Sequence, residues 1–138
     1  MPAPRLEMTN LTRRYDGRAV VEGVSLSVMP GQVTCLLGPS GCGKSTTLRM
    51  VAGVERPDAG RIEVDGQVIC DSQVDVPPEA RNIGLMFQDF ALFPHLTVAE
   101  NVAFGLSGAK AAKRARVAEL LARVDLERFI GSYPHELS

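Results

Sequence analysis

Nine consecutive residues in the first half of the chain have the types and spacing that phosphate binding requires. They are Gly38, Pro39, Ser40, Gly41, Cys42, Gly43, Lys44, Ser45 and Thr46. Glycines let the backbone approach an anion closely, and the free N–H groups that open a helix favour negative charge. Lys44 supplies a cation for the β and γ phosphates, and Ser45 supplies a hydroxyl for a phosphate-bound Mg²⁺. A glycine, four residues and then Gly-Lys-Ser is the pattern of the phosphate-binding loop of nucleotide hydrolases and kinases.

A loop of this kind lies between a strand and a helix. Residues 33–37 are a short apolar run that predicts the strand. The spacing of Leu48 and Val51 predicts a helix that begins at about Lys44 and ends near Gly53, a typical residue after a helix C-terminus. A plain glycine-rich turn is the alternative, but spacing, residue types and setting together favour the phosphate loop. The residues therefore predict a site for a nucleoside triphosphate.

The bulk composition narrows the class of protein. At 138 residues with 45% hydrophobic residues, the chain has the size and apolar content of one ordinary domain. A net charge of −1 argues against a nucleic-acid partner, and no apolar run reaches the length of a membrane span or a secretory signal. Three cysteines without metal-type spacing suit a reducing compartment. These features predict a soluble cytoplasmic protein.

Two turn pairs predict β-hairpins on either side of the helix. Asp16-Gly17 and Asp65-Gly66 each separate two apolar runs, which lie at residues 5–15 and 19–28 and at residues 61–64 and 67–70. Residues 71–81 are polar and contain two adjacent prolines, so they predict a surface loop. The apolar residues 83–87 predict another short strand, which delivers Gln88.

The character of the chain changes at Gln88. Residues 1–88 are predicted to form a β-rich nucleotide-binding lobe, and residues 89–138 part of a helical subdomain. Thr97 and Glu100 have the spacing of a capping box at a helix start. Residues 110–124 predict the clearest helix, with an apolar face and a basic face. A solvated surface is favoured over phosphate-backbone binding for the basic face, because the overall charge is near neutral.

Tyr15 and the stretch around Gln88 point to a protein family when they are considered together with the loop. Tyr15 ends the first predicted strand and, taken alone, is best interpreted as an ordinary surface tyrosine. The aromatic residues near Gln88, taken alone, are best interpreted as residues that pack in a core or an interface. Together with residues 38–46, they resemble the nucleotide-binding subunit of ATP-binding-cassette (ABC) transporters. The resemblance implies an α/β P-loop NTPase core with an antiparallel β lobe and the start of a helical subdomain. It also implies that residues 38–46 form the Walker A loop.

The resemblance assigns roles to individual residues. Tyr15 falls where the family stacks an aromatic side chain on adenine. Lys44 and Gln88 would be catalytic, and Ser45 and Gln88 would contact Mg²⁺, so that ATP and Mg²⁺ are the implied cofactors. Cys42 beside the phosphates is either a reactive thiol or a small space-filling residue, and the second reading is somewhat favoured.

The resemblance also implies partners. The residues just after Gln88 would face the coupling helices of transmembrane permease subunits at the inner face of the cell membrane. A homodimer of the full-length protein and a periplasmic or extracellular solute-binding protein complete the system. Residues 87–106 are similar to importers for ferric iron, polyamines, sulfate and sugars, and residues 98–106 place ferric iron first.

Leu137-Ser138 is similar to the start of the family's Leu-Ser-Gly-Gly-Gln signature motif. The Walker B aspartate, the catalytic glutamate and the switch histidine of the family would lie beyond it. We therefore expect the 138-residue chain to be an incomplete front portion that binds Mg-ATP weakly without efficient hydrolysis. Alternatives are a P-loop phosphotransferase, a non-catalytic nucleotide-binding module, and a soluble cassette protein acting on ribosomes or DNA.

Overall fold

The computed structural model describes residues 3–89 and 91–137. These residues divide into two compact units, with the division between Met86 and Phe87. The predicted domain boundary at residue 88 lies close to this division. Two predicted features lie partly outside the described residues: Ser138 of the signature motif, and Phe90 in the stretch that follows Gln88.

The first unit is built on one antiparallel sheet with the strand order β2-β1-β3-β4. Its strands are β1 (Leu6–Tyr15), β2 (Arg18–Val28), β3 (Ala59–Val64) and β4 (Gln67–Cys70). Both predicted hairpins are confirmed, and each turn pair has positive φ at both residues, as tight hairpin turns require. The pairing of β1 with β3 joins the two hairpins into one sheet, which the sequence did not predict.

The helix α1 (Lys44–Ala52) provides the other half of the first core. Met50 and Val51 belong to the same buried cluster as Leu11 and Ile62 of the sheet. Gly53 ends the helix in the left-handed conformation, and its N–H is bonded to carbonyls of the last turn. The predicted helix and its end are therefore confirmed.

Two predicted strands are wrong. Residues 33–37 and residues 83–87 lie outside every strand of the described chain. Val33, Leu37 and Met86 are 89%, 91% and 94% exposed, and Ile83 is the residue of these runs that packs, partly buried, against the first core. An extended segment becomes a strand only when a neighbour pairs with its N–H and C=O groups. The four-stranded sheet of the described residues contains no neighbour for either run.

The predicted surface loop at residues 71–81 ends in a buried side chain. Arg81 is only 3% exposed, and its guanidinium donates hydrogen bonds to the carbonyls of Val76, Met50 and Val51 at 2.7, 2.8 and 3.1 Å. It also pairs with Asp75 at 2.9 Å. Because the last carbonyls of a helix lack partners within the helix, Arg81 both satisfies the end of α1 and fastens the loop to it. The prediction of a surface loop is therefore wrong at Arg81, whose side chain is buried.

The second unit contains the helices α2 (Val98–Ala103) and α3 (Lys110–Ala122), followed by short 3₁₀ turns at Glu127–Phe129 and Pro134–Glu136. Val98, Val117 and Leu121 are its buried core. The capping box at Thr97 and Glu100 is confirmed. The predicted helix over residues 110–124 ends two residues early, and Val124 is 59% exposed. In the described part of the chain, no helix is long and apolar enough to cross a bilayer.

Arg81→Ala is expected to lower the free energy of unfolding of the first unit by about 1–3 kcal/mol, because it removes the Arg81 donor from the carbonyls of Val51 and Val76 and leaves the Met50 carbonyl with the Gly53 N–H alone. Urea unfolding followed by circular dichroism measures the change. Arg56→Ala is the matched control, since Arg56 pairs with the same Asp75 but is exposed and 3.7 Å away. It should cost less than about 1 kcal/mol. Equal losses for both variants would contradict the role given to Arg81.

Thr97→Ala removes one half of the capping box and should destabilise the second unit by about 0.5–2 kcal/mol. The Glu100 N–H would lose its acceptor, the Thr97 hydroxyl at 3.3 Å. Thr34→Ala, at an exposed position outside the helices, is the control and should leave the urea midpoint unchanged. A Thr97→Ala variant that unfolds at the parent's midpoint would show that this cap is dispensable.

Glu100 makes the stability of the same helix start depend on pH. The Thr97 N–H and hydroxyl donate to its carboxylate and hold the pKa of Glu100 below its ordinary value of 4.5. A depressed pKa contributes stability above the ordinary value and loses it as the pH falls. The difference in unfolding free energy between the parent chain and Glu100→Gln should therefore shrink as the pH drops below 4.5. A constant difference across that range would contradict this assignment.

Candidate functional site

The predicted phosphate loop encloses the ammonium group of its own lysine. Lys44 Nζ donates hydrogen bonds to the carbonyls of Gly38 and Pro39, at 2.6 and 2.8 Å, and lies 3.4 Å from Cys42 Sγ. The side chain thus bends back from the first residue of α1 across the loop. The ammonium group therefore lies in the curve of the loop, where its positive charge would attract the negatively charged oxygens of a polyphosphate.

Glycine is required at Gly43 because the chain there passes too close to the backbone of β2, and a side chain at Gly38 would displace Cys42. A Cβ atom on Gly43 would lie 2.4 Å from the carbonyl oxygen of Val20 on β2, and the residue has φ +92°. A Cβ atom on Gly38 would lie 2.6 Å from Cys42 Sγ. At Gly43 the loop packs directly against β2, and at Gly38 the start of the loop packs against Cys42 near its end.

The start of α1 is left open to an anion. No side chain caps this helix end, and its first turn contains no acidic residue. The first N–H groups of a helix have no partners within the helix, so they and the helix dipole favour a negatively charged ligand. Behind them, the buried Thr47 hydroxyl donates to the Gly43 carbonyl at 2.9 Å and holds the turn. Ser45 is exposed, as a hydroxyl that contacts Mg²⁺ must be. These donors fit a Mg-polyphosphate group.

The structure places the other predicted site residues at different locations. Residues 38–46 form the loop and the start of α1, and Tyr15 lies in the same unit at the end of β1. Gln88 lies in the second unit, in an exposed stretch without regular structure. Its contact with Mg²⁺ and with the loop stays a prediction.

Tyr15 is surrounded by charged residues that the sequence did not predict. The Arg13 guanidinium lies 4.8 Å from the centre of the Tyr15 ring, and the Tyr15 hydroxyl donates to the Glu55 carboxylate. Arg13 also pairs with Glu55 and with Asp58, each at 2.8 Å. Its bond to Glu55 raises the pKa of the Arg13 guanidinium above its ordinary value. The Arg14 backbone N–H, at 2.6 Å, lowers the pKa of the Asp58 carboxyl.

The second unit holds the stretch after Gln88 in place through one side chain. Asn101 of α2 donates to the carbonyls of Phe93, Leu96 and Thr97, and it accepts a bond from the Phe93 N–H at 2.9 Å. The rings of Phe93 and Phe104 lie 4.4 Å apart, and Phe104 is 67% exposed. Leu92 of the same stretch and Asn101 of α2 also line an apolar cavity of about 220 Å³. The half-exposed rings of Phe93 and Phe104 therefore form apolar surface on the second unit.

The chain is similar to known proteins in both sequence and structure. The ABC transporter family model matches residues 21–138. The putrescine transport ATP-binding protein PotG of Escherichia coli (strain K12) is 49% identical over 98% of this chain and 36% of its own length. The Fe(3+) ions import ATP-binding protein FbpC 2 of Pectobacterium atrosepticum is 46% identical over 96% of this chain and 39% of its own. The chain thus spans little more than a third of the length of these relatives.

A solved structure shares the fold. The ATP-binding cassette MJ0796, as a dimer in a post-hydrolysis state bound to ADP and Pi, superposes with a TM-score of 0.82 at 31% identity. The match covers 96% of this chain and 63% of that one. The antiparallel sheet, the phosphate loop and the helices are therefore parts of the α/β P-loop NTPase fold. On the family match, these identities and this superposition, the chain belongs to the ABC transporter family of ATP-binding cassettes.

Proposed function

We propose that this chain binds Mg-ATP through residues 38–46, as part of the energy-coupling subunit of an importer. The observation that carries the proposal is the loop closed around the Lys44 ammonium at the uncapped start of α1. In this assignment Lys44 binds the β and γ phosphates, and backbone N–H groups bind further phosphate oxygens. The Tyr15 ring stacks on adenine.

Mg²⁺ would neutralise charge on the transferred phosphoryl group when bound. Within this chain, Ser45 would hold it through its hydroxyl and Gln88 through its amide oxygen. Among the hydrogen bonds and ion pairs of the described residues, none joins a carboxylate to residues 38–46. A carboxylate that polarises water is therefore absent from the contacts of this loop. On that basis we propose that the 138-residue chain binds Mg-ATP without turning it over efficiently.

The exposed apolar face after Gln88 supports the proposal that permease subunits dock there. Asn101 gives that stretch a defined shape, and Phe93 and Phe104 give it apolar surface. The subunit would work as a homodimer, consistent with the dimeric cassette that this chain resembles. It would lie on the cytoplasmic side of the cell membrane, attached through the permease and supplied by a solute-binding protein.

The transported solute would be a cation of one of two classes. Relatives named for polyamine import and for ferric-ion import match this chain to similar extents. Ferric iron, which the sequence of residues 98–106 favoured, is therefore supported alongside polyamines and not above them. Solute choice depends on the other subunits of such a system, so the ATP-binding chain carries little information about it.

Lys44→Ala should weaken Mg-ATP binding ten- to a hundredfold, since it removes charge-assisted contacts worth about 1.5–3 kcal/mol. Isothermal titration calorimetry measures the change. The control is Lys110→Ala, which removes an exposed lysine at the start of α3 and should bind as the parent chain does.

Two outcomes would contradict the proposal in different ways. Equal Mg-ATP affinity for Lys44→Ala and the parent chain would remove the loop as the nucleotide site. Steady hydrolysis by the 138-residue chain that Lys44→Ala abolishes would keep the site but overturn the proposed lack of efficient turnover.

Thiol labelling locates the nucleotide independently. Cys42 and Cys35 are both exposed, and only Cys42 lies within the loop. Mg-ATP should slow maleimide labelling of Cys42, because the phosphates cover it, and leave Cys35 labelling unchanged. Mass spectrometry of the two peptides measures both rates in one sample. Equal labelling of Cys42 with and without Mg-ATP would argue against phosphates in the loop.

A further inference from the structure

Tyr15 is held on one ring face and at its hydroxyl. The Arg13 guanidinium lies over one face, 4.8 Å from the ring centre, and the hydroxyl donates to Glu55. The residue is nevertheless 40% exposed. Arg13 covers only one of the two ring faces, and the exposed fraction shows that part of the residue stays accessible to a ligand.

Glu55 connects these two contacts. The same oxygen, Oε1, accepts from the Tyr15 hydroxyl and from Arg13 Nε, the latter at 2.8 Å. The Glu55 side chain is only 14% exposed and that of Arg13 is 26% exposed. A charged group that is this well covered, with two donors on one oxygen, restrains both partners more than a fully exposed ion pair would.

The contacts of Glu55 are not needed to attach the turn after α1 to the sheet. Asp58 already does this, because its carboxylate accepts from the Arg14 N–H at 2.6 Å and its own N–H donates to the Thr12 carbonyl at 2.9 Å. Arg13 also reaches Asp58 directly. What Glu55 adds to this arrangement is its hold on the Tyr15 ring.

We propose that Glu55 and Arg13 are positioning residues that pre-organise the Tyr15 ring to stack on the base of a nucleotide. The proposal rests on the function proposed above, in which Tyr15 contacts adenine. A ring that is fixed before binding loses less conformational freedom when a base stacks on it. The cation behind the ring adds a favourable interaction with the π system. The ligand selected by this arrangement is a planar heteroaromatic base, and the phosphates are bound elsewhere, at residues 38–46.

The test compares two ligands that share phosphates and differ in the base. Mg-ATP uses both parts of the site, whereas inorganic tripolyphosphate uses only the loop. Glu55→Gln should weaken Mg-ATP binding roughly three- to tenfold, in the range of a stacking contact, and leave tripolyphosphate binding within twofold. Glu63→Gln is the matched control, because Glu63 also pairs with an arginine and its side chain is 21% exposed. It should leave both affinities unchanged.

Tyr15→Phe keeps the ring and removes only the hydroxyl that Glu55 holds. It should lose Mg-ATP affinity to the same extent as Glu55→Gln, and the double variant should lose no more than either single one. If Glu55→Gln fails to fold, Tyr15→Phe carries the same comparison of the two ligands.

Equal losses of Mg-ATP and tripolyphosphate affinity in Glu55→Gln would overturn the inference and leave Glu55 a general support of the unit. Unchanged Mg-ATP affinity in Glu55→Gln, where Tyr15→Ala weakens it, would overturn the positioning role and keep the stacking. No effect of Tyr15→Ala would overturn both. Failure of the nucleotide site itself would appear separately, as unchanged binding of both ligands by Lys44→Ala.

Discussion

The close approach of Gly43 to the carbonyl of Val20 is the contact on which the first unit depends. It brings the end of the phosphate loop against β2, with no space for a side chain between them. The position of α1 follows, because the helix begins at the next residue and buries Met50 and Val51 on the sheet. The Lys44 ammonium group donates hydrogen bonds to the carbonyls of the loop that this contact holds in place.

The opposite end of α1 is held by charged groups. Arg81 donates to the carbonyls of the last turn, and glycine is favoured at position 53 because φ there is +82° and a Cβ would lie 2.5 Å from the Arg81 side chain. Glu55, in the turn that follows, contacts Tyr15 at the end of β1. One short helix therefore links the proposed phosphate site at its N-terminus with the proposed base site beyond its C-terminus.

Local patterns were predicted well because their physics is local. The turn pairs Asp16-Gly17 and Asp65-Gly66, the helix end at Gly53 and the capping box at Thr97 each depend on residues within a few positions of one another. The two wrong strands show the limit. A short apolar run indicates that a segment prefers an extended, buried conformation, but a strand also needs a neighbouring strand to pair with. Residues 33–37 and 83–87 have no such neighbour in the described chain.

The sequence alone identified the family and predicted the phosphate loop and the nucleotide class, because residue type and spacing within nine positions specify the chemistry. Only the tertiary structure decided what surrounds that loop. Arg81 reaches Met50 across 31 positions and Arg13 reaches Glu55 across 42, and no periodicity in the sequence predicts these pairs. The pairing of β1 with β3 brings Arg13 and Tyr15 to the turn after α1. Contacts of this kind depend on how the chain folds back on itself, so they can be identified only once its path is known.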